Sequence, residues 1–168
     1  MKLAASLMMF AAAFACTAYA EEPNVEAVNN DGIRWFNSDD VPTFKIAEDG
    51  TVDFATFSGF RRYHSECHVC HGPDGEGSSY APALKDSAIK MYYYDFQEVV
   101  ASGRSKVGNA DNQVMPALGT NRNVMCYLDD IYTYLRARGT DSIPRGRPAK
   151  KEDKPEAFAE AEASCMEG

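Results

Sequence analysis

The sequence predicts an all-α fold of three to five short helices, with an extended N-terminal arm and a C-terminal tail. Three observations carry that prediction. Apolar residues recur at helical spacing in two stretches, Phe57, Phe60 and Tyr63, then Val124, Leu128, Ile131 and Leu135. Around them lie segments dense in glycine and proline, which read as loops. Alternating apolar and polar runs, the mark of half-buried strands, are scarce.

The chain opens with a positive Lys2, an uncharged apolar run from Leu3 to Phe14, and Ala18-Tyr19-Ala20 before the acidic pair Glu21-Glu22. This is the pattern of a signal peptide, residues 1–20, cleaved after Ala20, and it implies a periplasmic protein. The apolar run is short for a membrane span. Cleavage removes Lys2 and Cys16 but no acidic residue, so the excess of 25 acidic over 17 basic side chains grows by one. Such a surface excludes nucleic acid and anionic lipid as partners and suits one with a positive or mixed patch.

Residues 21–50 form the arm, broken by Pro23, Asp31-Gly32, Pro42 and Asp49-Gly50, with a short hairpin expected around Trp35 and Phe44. Residues 51–139 form the main domain. Its first helix is expected from about Val52 to His64, with Thr51 as N-cap. Gly72, Pro73, Gly75, Gly77 and Pro82 make residues 72–85 a loop. A second helix covers Tyr93 to Ser102 and stops at Gly103. Residues 104–120 are again read as loop. The last helix of the domain starts at an Asn121 or Asn123 cap and ends at Gly139. Residues 140–168 are a charged tail, packed on the domain, with an alanine-rich stretch before Cys165.

Cys67-His68-Val69-Cys70-His71 is the decisive motif. Two thiols three positions apart can each add to one of two neighbouring vinyl groups of a porphyrin, and the following histidine then supplies an axial nitrogen to the iron. A zinc site would need a second close pair of ligands, and Cys126 and Cys165 are far apart. A thioredoxin-like pair belongs after a strand in an alternating strand–helix chain. The motif therefore assigns one covalent haem c through Cys67 and Cys70, with His71 on the iron, and implies electron transfer rather than catalysis. Export agrees with it, and Cys126 and Cys165 are left as candidates for one disulfide in an oxidising compartment.

The sixth ligand is expected to be Met115, in a loop and stiffened by Pro116. Met91, Met125 and Met166 are the alternatives, with Met91 preceding an aromatic run and the other two in the last helix and the tail. His64 and His68 lie too close to His71 to reach the opposite face and read as partly exposed surface histidines. An open sixth position would instead fit a haem enzyme or a gas-binding protein.

The order helix, C-x-x-C-H, glycine-rich loop, Met-Pro loop and final aromatic helix resembles the class I cytochromes c. Gly59, Tyr63 and Tyr134 stand where that family crosses its first and last helices, and Pro82 where its carbonyl accepts the proton of the axial histidine. A closer resemblance rests on the run Phe57 to Glu66, the Gly72-Pro73-Asp74-Gly75 loop, Ala101-Ser102-Gly103-Arg104, and the late Cys126 and Cys165. These are similar to the four-cysteine, methanol-metabolism-related cytochromes, relatives of cytochrome cL. The resemblance implies a Cys126–Cys165 disulfide. It also implies a quinoprotein (PQQ) methanol dehydrogenase as donor, of the lanthanide-dependent type, and another c-type cytochrome or a terminal oxidase as acceptor. The alternative is a generic shuttle to a terminal oxidase. Electrons are expected to pass at a haem edge bordered by Val69, Tyr80, Pro116 and Ala117.

Overall fold

The computed structural model describes residues 23–107 and 112–168. The expected signal peptide and its cleavage site lie outside the described residues, as do Gly108 and Asn109. The N-terminal segment is built on two side-chain-closed turns. Asp31 accepts the backbone N–H groups of Ile33 (2.8 Å) and Arg34 (2.7 Å), reversing the chain between β1 (Asn29–Asn30) and β2 (Trp35–Phe36). Asn37 accepts those of Asp39 (3.0 Å) and Val41 (2.9 Å) before β3 (Pro42–Thr43). The three strands form one antiparallel sheet in the order β1-β2-β3, with Trp35 opposite Thr43. The expected hairpin is thus part of a small sheet.

The first helix, α1, runs Phe54–Glu66, and its N-cap is Asp53 rather than Thr51. The Asp53 carboxylate accepts the Thr56 N–H at 2.9 Å, the Thr56 hydroxyl at 2.5 Å and the Lys45 N–H at 2.8 Å. Val52 is held extended by bridges to Ile46 and Lys151, so the helix cannot begin two residues earlier. Then follow α2 (His68–His71), a 3₁₀ turn at Pro73–Gly75, α3 (Leu84–Lys90) and α4 (Tyr93–Ser102). Helix α3 is not among the expected elements, because Ala88 alone of its residues is buried and no apolar stripe marks it. The helix over Tyr93–Ser102 lies where expected and ends on Gly103 at φ +74°.

Residues 104–120 are not all loop. β4 (Arg104–Val107) pairs antiparallel with β5 (Asn112–Met115), Arg104 opposite Met115. Backbone pairing holds this hairpin, and Val114 stays exposed, so the sequence carries no buried alternation to announce it. The expected single last helix is split into α5 (Arg122–Met125), capped by Asn121, and α6 (Leu128–Gly139). Tyr127 leaves helical geometry (φ −127°, ψ 16°) and buries its ring, while Val124, Leu128, Ile131 and Leu135 all stay in the core. The alanine-rich stretch belongs to α7 (Glu156–Glu167). Among the described residues five helices of seven or more residues therefore form the all-α framework, with α2 and α5 as single turns.

The core is the crossing of α1 and α6. A Cβ on Gly59 would lie 1.9 Å from the Asp130 carbonyl oxygen and 2.8 Å from the Tyr134 Cβ, so the backbones meet only because Gly59 has no side chain. Tyr63 and Tyr134 are fully buried there, with ring centroids 5.7 Å apart. The N-terminal segment is clamped onto this crossing. Arg34 Nε lies 2.6 Å from the buried Asp130, which also accepts the Ser58 hydroxyl at 2.7 Å, and Arg136 donates to the carbonyls of Pro42 (3.3 Å) and Asn24. From the other end, Phe158 of α7 meets Phe54 edge-on at 4.8 Å. A Cys126–Cys165 disulfide, Cα–Cα 5.8 Å, fastens α7 to the end of α5.

Candidate haem site

The fold brings Cys67, Cys70 and His71 together on one turn. Cys67 is the N-cap of α2, Cys70 lies one turn later on the same face, and the two thiols are not joined to each other. Burial, with Glu66 and Cys70 adding to it, pushes the Cys67 thiol up to about 12. Among the described residues no cluster of three or more His, Cys, Asp or Glu side chains could hold a metal ion, which leaves zinc without ligands.

His71 is buried, and its surroundings fix it from several directions. Nδ1 lies 2.9 Å from the Pro82 carbonyl, so Nδ1 carries the proton and donates, and Nε2 keeps a lone pair for a metal. The Tyr63 hydroxyl donates to the carbonyls of Gly72 (2.6 Å) and His71 (3.2 Å). Gly77 N–H donates to the His71 carbonyl at 2.8 Å, and the Ser78 hydroxyl donates to that of Cys70. At Gly72, φ +72°, a Cβ would sit 2.1 Å from the Gly77 carbonyl oxygen, so this turn closes only on glycine. Two thiols one turn apart beside a histidine of fixed tautomer are the donor set that covalent haem needs.

Met115 is held by a different part of the fold. It ends β5 and is half-buried against the core. Its carbonyl oxygen and the Ala117 nitrogen would lie 2.6 and 2.7 Å from a Cβ on Gly103, so the loop rests directly on the end of α4. Leu118 N–H donates to the Val100 carbonyl (3.1 Å) and Gly119 N–H to that of Ala101 (2.9 Å). Pro116 and Ala117 are exposed. Of the other methionines, Met91 follows α3, while Met125 and Met166 pack against the core on α5 and α7, beside the disulfide.

Among the described residues six large apolar side chains are exposed; Val69 lies within the attachment motif, and Tyr80, Tyr92, Tyr94 and Val114 lie between it and Met115. Tyr80 is 78 % exposed. His64 is partly exposed, as expected, yet it is not an idle surface residue. Nδ1 lies 2.9 Å from the Phe60 carbonyl and Nε2 is 3.5 Å from Asp74. Sequence reasoning also missed the hydroxyls of Tyr63 and Ser78 and the carboxylate of Asp74, because a polar atom's partner depends on the folded turn.

No protein-family model matches the chain. Over 149 residues, 87 % of the chain, it is 61 % identical to cytochrome c-553I of Paracoccus denitrificans, and the match spans 66 % of that protein. It is 37 % identical over 100 residues to cytochrome c-555 of Methylococcus capsulatus, covering 75 % of that protein. The chain belongs to the c-type cytochromes. It carries haem c bound covalently through Cys67 and Cys70 and is an electron-transfer protein, not an enzyme. The crystal structure of the c-type cytochrome XoxG from Methylobacterium extorquens AM1 superposes with a TM-score of 0.77 at 52 % identity, covering 84 % of this chain and 87 % of that one. The fold is that of the class I cytochromes c. No helix among the described residues is long and apolar enough to cross a membrane.

Proposed function

We propose that this cytochrome is a soluble periplasmic carrier that takes single electrons from a lanthanide-dependent quinoprotein (PQQ) methanol dehydrogenase and passes them to another c-type cytochrome or a terminal oxidase. The observation that carries this reading is the four-cysteine pattern, with its tail disulfide, on a chain similar to XoxG over most of its length. Residues 21–50 and 140–168 are the arm and tail of a haem domain at 51–139, behind a signal peptide at 1–20.

Haem c supplies a one-electron couple between ferrous and ferric iron. In this reading His71 Nε2 and the Met115 thioether would hold the iron, and a thioether would favour the softer ferrous ion. Pro82 holds the imidazole in one tautomer and orientation. Pro116, Ala117, Val69 and Tyr80 supply the exposed, largely apolar border across which two redox centres approach. The acidic surface steers the partner from beyond contact, so association weakens with salt. A reduced quinone cofactor holds two electrons, so one donor turnover reduces two cytochrome molecules in sequence.

The test is methanol-dependent reduction of the purified holocytochrome by a lanthanide-loaded quinoprotein methanol dehydrogenase. The account expects saturable reduction whose rate falls as salt rises. A cytochrome that small chemical reductants reduce but the dehydrogenase does not would favour the generic shuttle to a terminal oxidase.

A further inference from the structure

Asp74 stands out among the buried charged groups. It lies three residues past His71, at the centre of the 3₁₀ turn, with a left-handed backbone (φ 58°) that a non-glycine residue adopts only when its surroundings enforce it. It is 5 % exposed. Its carboxylate gathers donors from elements far apart in sequence: the Tyr134 hydroxyl of α6 at 3.2 Å, the backbone N–H of Gly146 in the tail at 3.0 Å, and Arg145 Nε at 3.3 Å. On the α1 side, His64 Nδ1 donates to the Phe60 carbonyl, which leaves Nε2 to accept the Asp74 backbone N–H at 3.4 Å. These contacts, with burial opposing them as the largest influence, hold the carboxyl below its ordinary range, so the group is an anion at neutral pH.

The same turn carries His71. The Gly77 N–H closes it onto the His71 carbonyl, and Glu76, two residues past Asp74, is tied to Lys85 (2.9 Å) and Arg138 (2.8 Å). Asp74 is the one side chain in the turn that binds α6 and the tail together. We propose that Asp74 is a positioning residue for haem. Its buried carboxylate fixes the turn that presents His71 by anchoring it to Tyr134 and to the Arg145–Gly146 segment, and its negative charge favours the oxidised haem. The tail thereby sets the reduction potential as well as covering the core. Arg145 is largely exposed and its charge is screened by water, so it offsets the anion only in part.

The inference rests on His71 being an iron ligand, and wild-type holoprotein checks that separately: a spectrum without histidine ligation would fail the ligand assignment before any variant is made. Three variants of the full chain then test Asp74. Asp74→Asn keeps an acceptor oxygen for Tyr134 and Gly146 but removes the charge. It should retain the low-spin spectrum and raise the reduction potential. Arg145→Gln should shift the potential the opposite way, by less. Asp74→Ala removes the anchor as well, and amide hydrogen exchange over residues 71–77 should accelerate about tenfold. An unchanged or lowered potential in Asp74→Asn would overturn the electrostatic role even if Asp74→Ala fails to fold. Wild-type exchange over the turn in Asp74→Ala would overturn the anchoring role.

Discussion

The two candidate ligands of the iron are held in opposite ways. The His71 turn is buried and fixed by side chains, with Tyr63, Ser78, Pro82 and Asp74 each bonded to it or within it. The Met115 loop is exposed at Pro116 and Ala117 and is fixed mainly by backbone, through the β4–β5 ladder and the bonds of Leu118 and Gly119 to α4. A buried, side-chain-locked ligand has no low-energy opening. An exposed loop held by a short two-stranded ladder opens more readily. The difference places the easier opening on the Met115 loop and the firmer hold on the His71 turn.

The largest break in that comparison comes from glycine. In Gly72→Ala the new Cβ meets the Gly77 backbone at a positive φ, and backbone cannot swing aside. The variant should lose on the order of 4–5 kcal/mol and accumulate little holocytochrome, measured by haem staining of the exported protein. Gly103→Ala has the same left-handed φ and a similar backbone conflict, but on the loop that carries Met115. It should keep covalent haem and weaken the methionine ligation instead, read in the far-red band of the oxidised protein. Equal yields and spectra for the two variants would show that the two regions are not distinct.

Next in size is the disulfide. Cys126 and Cys165 close a loop with a sequence separation of 39, worth about 4 kcal/mol in the chain-entropy model. The haem-bound cysteines are alkylated, so unfolded mature protein should show no free thiol before reduction and two after. Reduction should lower Tm and loosen α7 without altering the haem spectrum, because the bridge lies at α5 and α7 rather than in the turn that carries His71. Two free thiols before reduction would contradict the bridge.

A smaller loss is expected from Tyr63→Phe. The ring stays in its place against Tyr134, but the Gly72 carbonyl loses its donor. A buried acceptor left without a partner costs about 1–3 kcal/mol, visible in denaturant unfolding of the holoprotein. The smallest effect is a pH dependence at the Arg34–Asp130 clamp. Burial pushes the Asp130 carboxyl up from 3.8 to about 6, against the pull of Arg34 and the Ser58 hydroxyl. The folded state thus binds this proton more readily than the unfolded chain between those values, and the contribution of this group falls as pH rises through about 6. The stability of wild type relative to Asp130→Asn should therefore decline between about pH 4 and pH 7. Asp74 and Glu76, held below their ordinary range, act in the opposite sense and lose their contribution as pH falls.

What the sequence disclosed follows the same division. Covalent chemistry is written in residue spacing, so Cys67, Cys70 and His71 could be named, and the resemblance to the class I cytochromes c pointed to Gly59, Tyr63 and Tyr134 at the crossing. The position of α4 was legible because Gly103 marks its end. The hairpin that carries Met115 was not, since Arg104–Val107 and Asn112–Met115 show no alternating apolar face. The cap of α1 was misplaced by two residues because Val52 pairs with chain nearly a hundred residues away. Asp74 was seen as a turn residue only. Its partners Tyr134, Arg145 and Gly146 lie 60, 71 and 72 positions later, and no local pattern reports them.

The most direct measurement is the oxidised spectrum of the holoprotein with each candidate methionine replaced in turn. The account predicts a six-coordinate low-spin haem whose weak far-red band, the mark of a methionine on ferric iron, disappears in Met115→Ala and persists in the alanine variants of Met91, Met125 and Met166. Persistence of that band in Met115→Ala would contradict the assignment and move the ligand to one of the other three.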